Sequence, residues 1–407
     1  MAPMKQTSGT SYWVESTAGA EFPPLDRDIE VDVAVIGGGL AGLSCAYLLK
    51  RAGQRVAVLE KDTIGGAVTG YTTGKVTSQH GLVYAKFKDQ HGEAAARLYG
   101  DANQAAIRQI RENIAHERIR CDWQNDDNFV FAQTSSQTGS LQREAEVAQS
   151  LGLPASFEAK TTLPFETFGA VKFSGQGKLH ARKYALGLAG AVQGGGSFVF
   201  EHTTGKAVRE GAPARVKTPH GTVAARHIII ATNVPYPVAA HTFYGAYEYP
   251  MKSYIVAAKF NGQLKGMYIT PDKPLFSILP VRSGHDHLLL IGGQSHIVGL
   301  GGSAAKRYGV LEDFAKQHFG VKDIAYRWAA FDYLTYDHIP MAGHLYPWSK
   351  HVYVATGFMK WGLTNTTVAA MILRDHIMGR SNPWAATFAS NRSSTVKALP
   401  GLLLGRG

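Results

Sequence analysis

The sequence predicts an α/β protein that also carries an α+β second domain. Three observations predict it: a strand–glycine turn–helix–strand unit near the N-terminus, a strand–turn–helix unit near the C-terminus, and short alternating strands between the two. In the first unit, Asp32 to Ile36 is the short apolar run of a buried parallel strand. Gly37, Gly39 and Gly42 follow in G-x-G-x-x-G spacing. The first glycine permits a tight turn, the second lets backbone approach a pyrophosphate, and the third lets a helix pack on the strand. Leu40 and Ala41 open that helix, whose N-terminal N–H groups and dipole suit phosphates. Leu43, Ala46, Tyr47 and Leu49 continue its apolar face, and Gly53 ends it. A second strand, Val56 to Leu59, delivers Glu60 to where a carboxylate accepts hydrogen bonds from ribose hydroxyls. The unit therefore binds an adenine dinucleotide in a Rossmann-like domain.

An acid after the second strand argues against a 2′-phosphate, and so against NADP. The segment KDTIGGAVTGYTTGKVTSQHG follows directly. Its small and hydroxylated residues suit a chain running close along an extended cofactor, with Lys61, Gly66, Thr72, Thr73 and Lys75 as contacts. FAD is the expected cofactor.

The 407 residues suffice for two domains with large cores. A net charge of +11 favours anionic partners: the cofactor, an acidic substrate or an acidic redox protein. Nucleic acid competes for that charge, but no Lys/Arg run or aromatic-interleaved basic stretch supports it. Cys45 and Cys121 are the only cysteines and lack metal-ligand spacing, so reduced thiols and no metal site are expected. No signal peptide or membrane span is read, and the cytoplasm is the expected location. Residues 1–30 are expected to form an irregular arm on the surface.

Along the chain, helices are read at Glu93 to Glu117, Ser140 to Leu151, His180 to Val192 and Ser303 to Phe319. The run Ile228 to Ile230, followed by Ala231-Thr232-Asn233, returns to the parallel sheet and places Thr232 at the cofactor. Ser253 to Phe260, Met267 to Thr270, Phe276 to Val281 and His287 to Ile291 suggest the antiparallel or mixed sheet of a substrate domain. The FAD-binding domain is then discontinuous, made of 31–88, 155–245 and 325–385. The substrate domain takes 89–154 and 246–324, and 386–407 is a tail ending in LPGLLLGRG.

The second informative segment is DYLTYDHIPMAGH, followed by VYVATGFMKWGLTNTTVAAMIL. Strand Val352 to Ala355 leads into a turn, and a helix begins after Gly362 with Thr364 or Asn365 as N-cap. A helix N-terminus aimed at a flavin would stabilise the charge gained on reduction.

These residues resemble the D-amino-acid oxidase and glycine oxidase-like FAD-dependent oxidoreductases over about residues 31 to 380. The more discriminating part is Asp337, Pro340 and Gly343 in D-x-x-P-x-x-G, with the turn that follows. The resemblance implies that Gly357, Phe358, Lys360, Trp361, Gly362, Leu363 and Thr364 line the isoalloxazine, and that backbone at Val208 meets the adenine. Within the family, Ser11-Tyr12-Trp13, Thr77 to Gly81 (TSQHG) and GFMKWG are similar to a bacterial subgroup that often adds a C-terminal Rieske domain. Such a domain is expected to be absent here, since two scattered cysteines cannot supply its ligands.

The resemblance further implies oxidation of an amine or amino-acid C–N bond, with hydride passing to flavin N5 and reoxidation by oxygen or an external acceptor. Catalysis then rests on geometry and flavin electronics rather than on a triad. Lys360 is the first candidate working residue and His80 the second, as a group that positions substrate or shuttles protons. Tyr254, Tyr333 and Tyr336 are candidates to face the cavity, and Asp337 reads as structural. Arg282 and Arg327 are the arginines available to clamp a carboxylate, though neither falls in a matched motif. Two other classes stay open: an NAD(P)H-dependent flavin monooxygenase and a non-catalytic or RNA-associated flavoprotein. The first usually shows a late Gly-Asp pair, and Gly100-Asp101 lies too early for it.

Overall fold

The computed structural model describes residues 9–234, 236, 243–271 and 273–392. The strands among them form two sheets, of eight and nine strands. In the eight-stranded sheet, Ile29–Ile36 is flanked in parallel by Val56–Leu59 and Thr222–Ile230. Phe198–Phe200 extends one side and Val352–Thr356 the other, both parallel. Antiparallel Met341–His344 closes one edge, and the ribbon Ala207–Arg209/Ala214–Lys217 attaches to the first half of Thr222–Ile230. Val33, Val35, Val56, Val58 and Ile229 are fully buried, as strands covered on both faces require. Helices Leu40–Arg51, Ala181–Val192 and Gly362–Ile377 pack on this sheet and on one another in one hydrophobic cluster.

The nine-stranded sheet runs Ile324–Thr335, Glu248–Lys259, Asp286–Ile297, Phe276–Ser283, Met267–Ile269, Gln124–Phe131, Ala170–Lys178, Lys75–Val76, with Ala155–Glu158 beside Ala170–Lys178. It is antiparallel except where Met267–Ile269 pairs with Gln124–Phe131. Helix Ala304–Phe319 covers one face, where Phe314 stacks on Phe276 at 3.9 Å. On the other face the sheet's own Trp328 packs with Tyr12, Trp13 and Tyr71.

Four expectations need correction. Ala155–Glu158, Ala170–Lys178 and Ile324–Thr335, assigned above to the cofactor domain, pair within the nine-stranded sheet. The described part of the N-terminal arm is not wholly a surface feature: most of 14–30 is exposed or half-buried, but Ser11, Tyr12 and Trp13 are buried. Tyr12–Glu15 is a short helix capped by Ser11, and Tyr12 and Trp13 are each 1% exposed. The helix of the C-terminal unit, Gly362–Ile377, has Trp361 at the cap position, so Thr364 and Asn365 lie inside its first turn. The expected tail also begins folded: Phe388 is buried in the main core and Ser390 Oγ donates to the His344 carbonyl at 2.6 Å. Residues 393–407, including LPGLLLGRG, lie outside the described residues. Cys45 and Cys121 are buried free thiols, and burial pushes each up to about 12.

Candidate active site

The glycine turn has the shape a dinucleotide requires. Gly37 has φ +114°, and a Cβ there would stand 2.4 Å from the Ala231 carbonyl oxygen. A Cβ on Gly42 would stand 1.9 Å from the Gly37 carbonyl oxygen, so helix and turn touch through this glycine. A Cβ on Gly39 would meet only Thr69 Oγ1, at 3.3 Å, leaving its other side open for a close ligand. The Gly39 cap offers no side-chain acceptor, and Thr69 supplies one: its Oγ1 accepts from Leu40 N at 3.0 Å. Sequence reading missed Thr69, which looked like one more hydroxyl of a polar loop. Ala41 is buried in the same first turn.

Glu60 accepts from Gly38 N at 2.7 Å and from Asp62 N at 2.9 Å, and burial raises its pKa. Its carboxylate thus fixes the turn while keeping lone pairs for a ribose. Lys61 points outward, 3.3 Å from Asp62. Gly66 closes a tight turn onto Thr63, and the Thr232 hydroxyl donates to the Val234 carbonyl at the end of the central strand. Val208 is half-buried in its short strand.

The loop after Glu60 is pinned from three directions. The carbonyls of Gly70, Tyr71 and Thr72 accept, in turn, from Ser11 Oγ, Trp328 Nε1 (2.9 Å) and Trp13 Nε1 (2.6 Å). Beyond them, Thr73 lies against the site of Gly292 in the large sheet, and Lys75 is buried with Nζ 2.6 Å from the Tyr268 carbonyl.

The C-terminal turn meets this loop. Gly357 has φ +70°, and a Cβ there would stand 2.5 Å from Thr335 Cγ2. Met359 and Lys360 both have positive φ, +57° and +68°, two left-handed non-glycine residues in succession. Asp332 holds them, its Oδ2 accepting from Lys360 N at 2.5 Å and its Oδ1 from Tyr333 N at 2.9 Å. Lys360 Nζ donates to Ser295 Oγ at 2.8 Å, and Ser295 meets Ser253 Oγ at 2.9 Å. Burial lowers the Lys360 amine to about 8 despite Asp332, and burial raises Asp332 to about 6. Phe358, Leu363 and Thr364 are buried, and Gly362 opens the helix.

His80 lies under the turn, stacked on Trp361 at 4.9 Å. Its Nε2 faces the Thr77 carbonyl at 2.8 Å, which only accepts, so Nε2 carries the proton and Nδ1 accepts from Tyr99 OH at 2.6 Å. Thr364 Oγ1 donates to the same Thr77 carbonyl at 3.1 Å. Burial lowers His80 to about 3, so its imidazole is neutral near pH 7.

Other candidates fall elsewhere. Arg327 is exposed and paired with Glu312 at 2.5 Å, on the side of helix Ala304–Phe319, and Arg282 is exposed at the end of its strand. Neither reaches the turn. Tyr254 bonds His296 at 3.0 Å and packs on Tyr308, whereas Tyr336 stacks on Tyr249 at 5.3 Å. Asp337 is structural as expected, through a partner not foreseen: Arg392 grips both its oxygens at 2.7 Å. Glu248 was also missed. It is buried beside Gly357 with Thr356 Oγ1 at 3.0 Å, and burial raises its pKa well above the ordinary value. The strand begins at Glu248, five residues before the alternation becomes visible at Ser253.

Residues 32–376, which carry both the glycine turn and the lysine-bearing turn, match the family model described as FAD dependent oxidoreductase. The chain belongs to that family. It is an enzyme, and FAD is its cofactor. It is 31% identical over 384 residues to the putative Rieske 2Fe-2S iron-sulfur protein YhfW of Bacillus subtilis, covering 94% of this chain and 75% of that one. It is 26% identical over 390 residues to the gamma-glutamylputrescine oxidoreductase of Escherichia coli, covering 92% and 90%. The glycine oxidase of Geobacillus kaustophilus superposes with a TM-score of 0.76 at 21% identity, over 90% of this chain and 99% of that one, which shows the shared fold. No described helix is long and apolar enough to cross a membrane.

Proposed function

We propose that the enzyme oxidises a C–N bond of an amine or amino acid. The turn Gly37–Gly42 would hold the FAD diphosphate, and the bound flavin would supply the hydride acceptor, with oxygen or an external acceptor taking the electrons. The carbon gives up its hydride, the nitrogen its proton, and water hydrolyses the resulting imine. The observation that carries this reading is the Lys360 turn, set against the Ser295/Ser253 face of the large sheet and joined through Thr364 and Thr77 to the cofactor loop. Among the relatives, a gamma-glutamylputrescine oxidoreductase and glycine oxidases bear amine and amino-acid names, which supports the substrate class.

Lys360 is the working amine. An ammonium that donates to the single hydroxyl of Ser295 has donors left for an anionic group of the substrate, and with a pKa of about 8 it releases a proton near neutral pH. His80 and Asp332 position it, one under Trp361 and one on its backbone N–H. In this reading the eight-stranded sheet centres the cofactor domain, and the nine-stranded sheet supplies the substrate wall.

Anaerobic addition of an amine and amino-acid panel to the FAD-loaded enzyme tests it. Bleaching of the visible flavin absorbance by at least one compound is expected. A loaded enzyme that no amine or amino acid bleaches would refute the substrate class.

A further inference from the structure

Lys75 is a lysine that the mechanism above leaves unused, and its surroundings are unusual. It begins a two-residue strand at the end of the large sheet, paired in register with Lys178. Its ammonium nevertheless bonds the Tyr268 carbonyl, three strands away in the sheet order. The side chain therefore lies across a face of the sheet. That face is identified by Met267 and Asn128, which are partners in register and so point the same way. Met267 packs with Trp13 and Tyr71, and Asn128 Nδ2 donates to Gln79 Oε1 at 2.7 Å. It is the face that the cofactor loop 71–80 covers.

This layer is polar and under-satisfied. Lys75 is 5% exposed, and one carbonyl is the partner its three-donor ammonium is given. Asn128 is fully buried, and its Oδ1 has no hydrogen-bond partner among the described residues. The nearby acid is committed elsewhere: Asp126 binds Lys178 Nζ at 2.7 Å and the N–H groups of Gly266 and Asp127. Buried donors and acceptors left open in native proteins call for a bound group or ordered water. Further along the same loop-facing layer the sheet thins to Ser277 and Gly292 beneath Thr73, and glycine in a strand interior marks a close approach by ligand or backbone.

We infer that Lys75 is a second charged residue of the active site, its ammonium beside the redox ring of bound FAD, where it stabilises the negative charge the ring gains on accepting hydride. No bond to Lys75 forms or breaks: the substrate carbon loses the hydride, and Lys75 supplies charge only. The inference rests on the reading above for placing the ring between the cofactor loop and the large sheet. Lys360 approaches from the C-terminal turn and Lys75 from the loop, so the two amines act from different walls.

The charge on Lys75 also titrates. Burial, and then the like charge of Lys178, lower its pKa to about 7. The ionisable group set against it is Lys178 on Ala170–Lys178, itself paired with Asp126; the Tyr268 phenol points to the opposite face, at Thr162, and His80, further along the loop, is neutral in this range.

The test uses FAD-loaded enzyme and sulfite, which adds to flavin N5 and leaves an anionic ring, so no substrate is needed. In Lys75→Met, sulfite should bind about tenfold more weakly, and the midpoint potential should fall by roughly 30 mV, the two-electron equivalent of that factor. Lys75→Arg should restore both. The wild-type visible spectrum should show a transition near pH 7 that Lys75→Met lacks. Lys178→Met removes the like charge and should move that transition to higher pH, which keeps the test decisive if Lys75→Met does not fold. Unchanged potential and sulfite affinity in Lys75→Met, or an unmoved transition in Lys178→Met, overturns the inference. An enzyme that amines bleach normally while Lys75→Met matches wild type sinks this inference alone; one that never binds FAD sinks the parent reading as well.

Discussion

Trp13→Phe isolates what the N-terminal arm does for the cofactor loop. Trp13 is 1% exposed, its indole N–H donates to the Thr72 carbonyl at 2.6 Å, and its ring edge lies where a Gly74 Cβ would be 3.3 Å away. It packs edge-on against His180 at 4.7 Å. Phenylalanine keeps most of the apolar contact but removes the donor. Leaving that half-buried carbonyl without its donor costs about 1 kcal/mol, and the smaller ring leaves a gap worth roughly 1 kcal/mol more. In the proposed reading the Thr72 loop meets the cofactor, so part of this loss should appear as weaker FAD binding, about tenfold for each 1.4 kcal/mol. The assays are FAD titration by fluorescence quenching and thermal unfolding with and without FAD. Tyr12→Phe is the control, since the Tyr12 hydroxyl reaches the exposed Asp286 rather than the loop. A Trp13→Phe protein with wild-type FAD affinity and unchanged Tm would refute the claim that the arm holds the loop.

Gly42→Ala would place a methyl 1.9 Å from a backbone oxygen that no rotamer can avoid, so FAD binding should fall at least about a hundredfold, read by the same titration. Arg392→Met strands Asp337, whose side chain is 1% exposed, and should cost about 3–5 kcal/mol in denaturant unfolding, with Asp337→Asn in the same protein recovering part of it. Lys360→Met should raise Tm at pH 7 while lowering amine-driven flavin reduction. The folded amine titrates at about 8 against 10.5 unfolded, so its burial penalty, up to roughly 3 kcal/mol, is full below pH 8 and relieved between 8 and 10.5. The stability gap between variant and wild type should therefore shrink across that interval, and a constant gap would contradict the assignment.

What could be read from the sequence was what depends on neighbours along the chain. The spacing of Gly37, Gly39 and Gly42 encodes a local turn, and helix Glu93–Glu117 carries its own apolar period, so both stand where expected. Failures came where residues answer to distant partners. Tyr12 and Trp13 looked like part of an irregular leader because the groups that bury them lie 59 or more positions away. Strand Ala170–Lys178 went unread, its Ser-Gly-Gln-Gly hiding any apolar alternation, yet Gln176 is fully buried and accepts from Thr77 and Ser78. Thr364 and Asn365 looked like caps because their side chains suit caps. They are spent instead on the Thr77 and Phe358 carbonyls, joining the helix to the cofactor loop and to its own turn.

That last substitution of roles explains how the site stays assembled. Its parts come from the arm, the loop after Glu60, strands Glu248–Lys259 and Ile324–Thr335, and the turn before Gly362. Apolar packing aligns such pieces only loosely, whereas each hydrogen bond fixes a distance and a direction. Two successive left-handed residues at Met359 and Lys360 cost about 1–3 kcal/mol each unless the surroundings over-determine them. Asp332 on one amide, Thr335 on the Met359 sulfur and Asn365 on the Phe358 carbonyl supply that determination. The strain is therefore borne by groups that point the Lys360 amine at Ser295, and removing the Asp332 carboxylate should release the turn before it unfolds the domain.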